Sequence, residues 1–498
     1  MWWLAPIALT QGSTVESKHV IRAAIAERAM TFGRYIILIL LVGLCGCVQF
    51  HERKLEPDKV LSSFENRSLE DSALQRFLAT NQTSSTDEWH APAKWDLETL
   101  TLVAFYYHPS LDLARAQWSS SKATIRTAAG RPNPTLGLLP GYDFTAAPGL
   151  PPWIPSVTYD MPIETAGKRR KRMERAQHLS TAARFNIIST AWQVRSALRT
   201  SLLDLVAAGQ RQQAIQAQLQ SEQAILQLME QRLAAGAVAP AELYPARVAV
   251  LRTRADVIDL RRQLVDARAR MADALGLPLK AIESLALDFP IDLPANWNEL
   301  SAPEVRRTAL QGRADLLGLI EEYEASQAAL RVEIARQYPD VHLGSNYQWD
   351  QGENKWQLGV TFELPIFNQN QGPIAEAEAK RAEAATRFMA LQAKAINEVD
   401  RALSTRQAVA DQLKEAESLV QTHRELLSKL QGALAQGGAD RVEVETAAVE
   451  LRSSERTLLE LKIKAQQAIG QLEDALQRPI NAMRSVEQDP RSAAANTP

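Results

Sequence analysis

The sequence has almost no cysteine. Only Cys45 and Cys47 occur in 498 residues, both near the start. No disulfide can staple the body, and no cysteine-based metal site can form there. The spacing of the two does not suit a mutual bridge. Charge of either sign is not in surplus. The net value of −2 argues against a nucleic-acid binder, which carries a clear basic excess. Long apolar runs are absent beyond the start of the chain, so no helix of the body is expected to span a bilayer. The seven histidines are scattered, with no His-x-x-x-His pair on a helix and no glycine-rich phosphate loop. With these absences no catalytic constellation is expected, and neither a cofactor nor a bound metal. Aromatics make up only 6%, while Leu, Ala, Gln, Glu and Arg are plentiful. That balance favours helix packed as coiled coil.

The start of the chain has the layout of a targeting segment. In MTFGRYIILILLVGLCGC, residues 30–47, Arg34 precedes an apolar core, and small residues lead to Cys47. LCGC resembles the bacterial lipoprotein box, with Leu44 at −3, Gly46 at −1 and Cys47 as the acylated residue after a signal peptide of residues 30–46. Cys45 at −2 departs from the usual small residue. The plainer alternative is an ordinary cleaved signal with an incidental cysteine. Val48, rather than aspartate, follows Cys47, which by resemblance favours the outer membrane. Residues 1–29 are expected to be a non-native upstream extension, with translation starting at Met30. Residues 47–94 are polar with little periodicity, as in a flexible or draped tether.

The body repeats itself. HPSLDLARAQWSSSKATIRTAAGRPNPTLGLLPGYDF starts at His108, and RADLLGLIEEYEASQAALRVEIARQYPDVHLGSNYQW starts at Arg313. Each reads as a helix, a proline (Pro134, Pro339), a hairpin, a second proline (Pro162, Pro365) and a long helix. Each long helix ends in a Gly-rich turn, AAGAVAP and AQGGAD, and a return helix follows. The first repeat spans 95–277, with a hairpin near 135–161, a long helix near 164–235 and a return helix near 241–275. Residues 278–311 connect it to a second repeat over 312–480. There the hairpin lies near 340–364, the long helix near 370–435 and the return helix near 440–477, before a disordered tail at 481–498.

The second hairpin has clean period-two alternation. Val341, Leu343, Tyr347 and Trp349 share one face, as do Trp356, Leu358, Val360, Phe362 and Leu364 after the turn. His342, Asn346, Gln348, Gln357 and Thr361 share the other. Roughly ten residues per strand is the length that crosses a bilayer in a tilted barrel, and Trp349 and Trp356 flank the turn where an aromatic girdle lies. The alternative is a soluble sheet with one face on a core. Four strands cannot close a barrel, and open edges are not tolerated in hydrocarbon. Membrane insertion therefore requires several copies, with eight, twelve or sixteen strands all allowed. The first long helix would measure roughly 105 Å. Its heptad seam runs Ala191, Val194, Leu198, Leu205, Ala208, Ile215, Leu219, Leu226, Met229, Leu233, with Ser201, Gln212 and Glu222 as polar lapses. The return helix offers Leu243, Val250, Val257, Leu264 and Met271.

On these features the chain resembles the TolC-type outer-membrane efflux proteins over about 95–480. The residues that carry the likeness are HPSLDLARAQ, the duplicated layout and the tip RLAAGAVAPAEL. PIETAGKRRKR and LPIFNQNQGPIAEAEA look closest to the cobalt–zinc–cadmium resistance subfamily. The resemblance implies a mainly α fold with a membrane β-barrel portion. A homotrimer would share a twelve-stranded barrel continued by a twelve-helix periplasmic tunnel. It also implies a lipid-anchored outer-membrane location reaching into the periplasm, a periplasmic adaptor and an inner-membrane resistance–nodulation–division pump. The expected function is a passive exit duct, not an enzyme, with heavy-metal cations as one possible cargo. A periplasmic adaptor or a coiled-coil scaffold lipoprotein without channel activity is the alternative.

Several residues follow as candidates. Gly236 and the Gly437–Gly438 pair are expected to supply the positive φ that reverses each helix, beside Ala237, Val238 and Ala239 as an adaptor-contacting surface. Simple turn chemistry is the alternative. Asp440, Glu443 and Glu445 are candidate aperture carboxylates, since three-fold repetition makes a carboxylate ring. Against that, acids at a helix start also complement its dipole. Pro162 and Pro365 are expected to mark the passage from barrel to tunnel, because proline suits a strand end and a helix start. Arg169, Arg170, Lys171 and Arg172 lie just below the barrel, facing lipid headgroups or solvent.

Overall fold

The computed structural model describes residues 49–81, 92–293 and 302–480. The signal peptide, Cys47, residues 1–29 and the tail lie outside them. The chain divides between Ser63 and Phe64 into two units. What is described of the first is exposed chain and most of a short helix, α1 (Pro57–Glu65). The second unit, from Phe64, is the body.

In chain order the body runs α2 (Ser72–Asn81), β1 (Trp95–Asp96), α3 (Leu97–Tyr107), α4 (Pro109–Ala129), β2 (Thr135–Tyr142), β3 (Trp153–Ile163), α5 (Lys168–Ala234) and α6 (Pro240–Leu275). It continues with β4 (Leu287–Asp288), α7 (Ala302–Gly312), α8 (Ala314–Ala335), β5 (Val341–Asp350), β6 (Glu353–Phe362), α9 (Gln371–Ala435) and α10 (Arg441–Leu476). The series α3–α4–β2–β3–α5–α6 thus recurs as α7–α8–β5–β6–α9–α10. Even the last caps correspond. Gly276 ends α6 at φ +69, and Gln477 ends α10 at φ +50. A Cβ on Gly276 would stand 2.9 Å from the Tyr107 carbonyl oxygen, so glycine is required there. Gln477 tolerates the same conformation, and its side-chain oxygen accepts from the Ala314 N–H at 2.9 Å.

Helix α5 has 67 residues and α9 has 65, about 100 Å each. Helix α5 packs along α6, α9 packs along α10, and α5 meets α10 across the duplication. Toward the sheet, α4 and α8 flank α5, and α9 flanks α8. The seams are heptads. Ala395, Val399, Ala402, Arg406, Val409, Leu413, Ala416 and Val420 are buried along α9 in alternate steps of four and three. On α6, Leu243, Val250, Val257 and Met271 are buried, with Leu264 partly so. Val194, Leu198, Ala208 and Ile215 on α5 are buried. The polar lapses Ser201 and Glu222 are buried with them. Each finds a local partner: the Ser201 hydroxyl donates to the Leu198 carbonyl at 2.9 Å, and Glu222 accepts from Gln218 at 2.8 Å.

The tether is more folded than its sequence suggests. Leu74 and Leu78 of α2 are fully buried with Leu100, Leu198, Leu202, Met271 and Leu275 in the main core. Arg67 donates to the terminal carbonyls of α3 and α6, Tyr107 at 3.1 Å and Gly276 at 2.8 Å. The Tyr107 hydroxyl donates back to Ser68 at 3.0 Å. Two leucines one turn apart are too short a pattern to announce a helix. The gap where α3, α5 and α6 meet decides it.

A buried polar node joins the two halves. Arg195 and Arg199 of α5 each lie 3.3 Å from one Glu473 oxygen on α10. Arg199 also donates to Gln466 at 3.1 Å. Asp474 accepts from Trp192 at 3.1 Å and Ser196 at 2.7 Å. Burial pushes the Asp474 carboxyl up and the Arg199 guanidinium down from their ordinary values. The guanidinium of Arg199 occupies the space that a Cβ on Gly470 would need. In most helices Gly→Ala is stabilising by about 1 kcal/mol. Gly470→Ala should instead destabilise by about 1–3 kcal/mol through overpacking of the node, read by chemical denaturation. A stabilised variant would show that the node has slack.

Candidate functional site

The four long strands form one antiparallel sheet in the order β2-β3-β5-β6. The two hairpins meet through β3 and β5, where Asp160 faces Gly344. Register aligns like with like. Leu138, Val157, Tyr347 and Trp356 form one row, and Met161, Leu343 and Val360 another. The irregular prolines of the first hairpin fit this plan, since Pro140 faces Pro155 within the apolar face. On the opposite face Thr158, Asn346 and Gln357 make a polar row. His342 Nδ1 lies 2.9 Å from Asp160 there.

The apolar face is uncovered. Leu138 is 70% exposed, Trp356 73% and Leu358 90%. A soluble sheet would bury that face on a core, and none of the described elements does so. The strands β2 and β6 end the sheet, and neither has a second strand partner among the described residues. Near the outer turns, Tyr142 stacks edge-on with Phe144 and Trp153, and Tyr347 tilts against Trp356. No described helix is long and apolar enough to cross a membrane.

The two prolines occupy different settings. Pro365 lies three residues past the end of β6. Pro162 does not end its strand: it pairs with His342 inside β3, one residue before Ile163. Its neighbour β2 has already ended, at Thr135 opposite Asp160. A missing N–H is tolerated at such a half-open position. The bend before α9 is polar as its sequence suggests. Asn370 takes φ +63 and donates to the Glu333 carbonyl at 2.7 Å.

At the far ends of the long helices both turns use the same hydrogen bonds. Gly236 N–H donates to Leu233 at 3.0 Å and Ala237 N–H to Arg232 at 2.8 Å. Gly437 N–H donates to Leu434 at 3.0 Å and Gly438 N–H to Ala433 at 2.8 Å. These are matching Schellman caps. They correct one expectation. Gly236 and Gly437 have positive φ, but Gly438 does not. Gly438 holds the place that Ala237 holds in the first half, where the backbone is ordinary. Ala237 is exposed and Val238 partly so.

The three tip carboxylates are not equivalent. Asp440 caps α10, accepting from Val442 N–H at 3.3 Å, and both its oxygens accept from Arg232 at the end of α5. That partner holds its carboxyl below the usual carboxylate range. The link is therefore intact in mild acid and is lost only as pH falls through this lowered value. Glu443 is exposed and Glu445 half-buried, and neither is in an ion pair among the described residues. Two positions apart on a helix, they point to different sides. Neither the Arg232–Asp440 link nor the buried polar node around Glu473 has a local sequence signature. Gly470, an isolated glycine in a helical pattern, was the available sign of close approach.

The turn geometry makes a graded prediction. Gly236→Ala and Gly437→Ala should each cost about 1 kcal/mol or more in the local cap, seen as faster amide exchange around each turn. Gly438→Ala should leave exchange unchanged, since its Cβ would meet only the Ala433 carbonyl at 3.6 Å.

The family profile described as outer membrane efflux protein matches residues 106–277 and 305–477, one block in each half of the duplication. The cobalt-zinc-cadmium resistance protein CzcC of Cupriavidus metallidurans is 24% identical over 286 residues. That alignment takes in 56% of this chain and 65% of the relative, so the chain spans just under two thirds of the relative's length. Among solved structures, the outer membrane protein VceC of Vibrio cholerae matches with a TM-score of 0.63 at 20% identity, over 76% of this chain and 95% of that one. The CmeC outer membrane channel of Campylobacter jejuni matches with a TM-score of 0.63 at 14% identity, over 89% and 97%. At these identities the structural likeness shows the fold.

Proposed function

This chain belongs to the outer membrane efflux protein family, and from that premise we propose that it is the exit duct of a tripartite efflux system. The observation that carries the reading is the sheet with one exposed apolar face and two open edges. In hydrocarbon every backbone N–H and C=O needs a partner, so the edges must close on further copies. Three copies give twelve strands, a practical closed barrel. The polar face with Asp160, Thr158, His342, Asn346, Gln348, Gln357 and Thr361 then lines the lumen.

The helices support the same head-to-tail closure. Below the sheet the order across one copy is α6, α5, α10, α9. Both outer helices keep exposed apolar rows: Tyr244, Val248, Leu251, Ile258 and Val265 on α6, and Leu419 and Leu426 on α9. Such unlike edges suit a ring in which α6 of one copy packs on α9 of the next. Twelve long helices would continue the barrel into the periplasm. In this reading Pro365 marks where the wall passes from strand to helix, and Pro162 lies one residue short of the corresponding end of β3.

The tip turns at Gly236–Val238 and Gly437–Gly438 are the proposed contact for a periplasmic adaptor, which links the duct to an inner-membrane resistance–nodulation–division pump. Glu443 and Glu445 remain the candidate aperture carboxylates. Asp440 serves instead as part of a latch with Arg232. Energy comes from the pump, and the duct does no chemistry. Similarity to CzcC favours heavy-metal cations as cargo. Acylation at Cys47 would anchor the chain in the outer membrane.

The purified protein should run as a heat-sensitive trimer and conduct ions in planar bilayers. A monomer confined to the soluble periplasm would overturn the duct. Neutralising both carboxylates (Glu443→Gln with Glu445→Gln) should reduce cation preference, and unchanged conductance and selectivity would remove them from the aperture. Cys47→Ser should abolish fatty-acid labelling; persistent label would refute acylation there.

A further inference from the structure

The run KRRKRMER at 168–175 holds six basic residues and one acid. It starts α5 five residues after β3 ends at Ile163. The corresponding start of α9 carries no such surplus: Lys380 there pairs with Glu376, and Arg387 with Glu383. The asymmetry is therefore not a need of the duplicated fold.

Some of these cations are already committed. Lys168 pairs with Asp340 at 2.7 Å, and Arg172 pairs with Glu164. Arg169 donates its Nε–H to the Ala129 carbonyl at 2.6 Å, and Arg172 reaches the Gly130 carbonyl at 3.4 Å. These bonds close the end of α4 onto the start of α5 and bring the next residue, Arg131, into the same corner. Among the described residues, Arg131, Arg169 and Arg170 have no carboxylate partner, and Arg131 and Arg170 are exposed.

Their side of the wall can be read from the register. Asp340 immediately precedes β5, and alternation continued back from His342 puts it on the polar side, so its partner Lys168 marks that side of α5. Two residues advance an α-helix by about 200°. Arg170 therefore faces away from Lys168, on the side of the apolar face of the sheet.

We propose that Arg131, Arg169 and Arg170 form a binding corner for the phosphodiester of an anionic phospholipid, at the foot of the apolar band. The inference rests on the membrane reading above. The corner is continuous with the exposed apolar face, where acyl chains lie, and it supplies unpaired guanidiniums at headgroup depth. Arginine suits this role because its planar fork matches phosphate oxygens bidentately. Zwitterionic lipid leaves part of that charge unanswered, so the corner selects net anionic headgroups.

The test uses the full-length protein in detergent, titrated with phosphatidylglycerol or phosphatidylethanolamine while its melting temperature is followed. Phosphatidylglycerol should stabilise at lower concentration. The Arg131→Gln/Arg170→Gln double variant should shift its half-saturating concentration by about twenty-five-fold, at about fivefold per lost charge. The response to phosphatidylethanolamine should stay as it was. Arg131→Lys/Arg170→Lys should restore part of the preference. High salt should weaken wild type toward the double variant, which checks the effect without any substitution. Equal stabilisation by both lipids, or an unaltered double variant, would overturn the proposal. Full stabilisation by inorganic phosphate would reassign the corner to free anions and also overturn it. A chain that conducts in bilayers but shows no lipid preference fails this inference alone. A chain that does not float with vesicles fails the membrane reading itself.

Discussion

The structure turns on one constraint: a sheet that exposes leucine, tryptophan and valine on one face and leaves both edges unpaired is not stable alone in water or in lipid. In water its apolar face has no cover. In hydrocarbon its free N–H and C=O groups have no partner. A lipid solvent combined with closure on further copies, as proposed, answers both. In the proposed duct, association with further copies and a polar lumen both follow from that requirement, and the family likeness sets the number at three.

The helical part meets a different demand. Two hairpins of long helices must stand side by side as one wall, although each is already satisfied by its own heptad seam. The connection between α5 and α10 combines a small apolar cluster, in which Ala207 packs with Ile463, and a series of polar links. Arginines from the first half reach carboxylates from the second at successive levels: Arg195 and Arg199 with Glu473, Arg211 with Glu460 at 2.7 Å, and Arg232 with Asp440. The Glu473 level is buried, and the Asp440 level at the tip is exposed. Exposed pairs are worth little and are screened, whereas breaking a buried pair is costly. The α5–α10 contact is thus firmer at Glu473 than at Asp440.

Duplication brought divergence as well as symmetry. Gly276 is forced by the Tyr107 carbonyl, while its counterpart Gln477 uses a side chain to bind Ala314. The basic run at 168–175 has no counterpart at the start of α9.

The sequence by itself determined the periodic features. Alternation along 341–362, the heptads of α5 and α6, the glycine turns and the repeat were legible because each is a local pattern set by backbone period. What only tertiary structure decided was pairing. The role of Gly438 depended on which residue closes the cap, and the setting of Pro162 on where β2 stops beside it. Asp440 is paired rather than free because Arg232, near the end of α5, lies next to it. Residues 72–81 folded because a gap awaited them. Each of these outcomes rests on contacts between segments far apart in sequence, and no local pattern encodes which distant group will arrive.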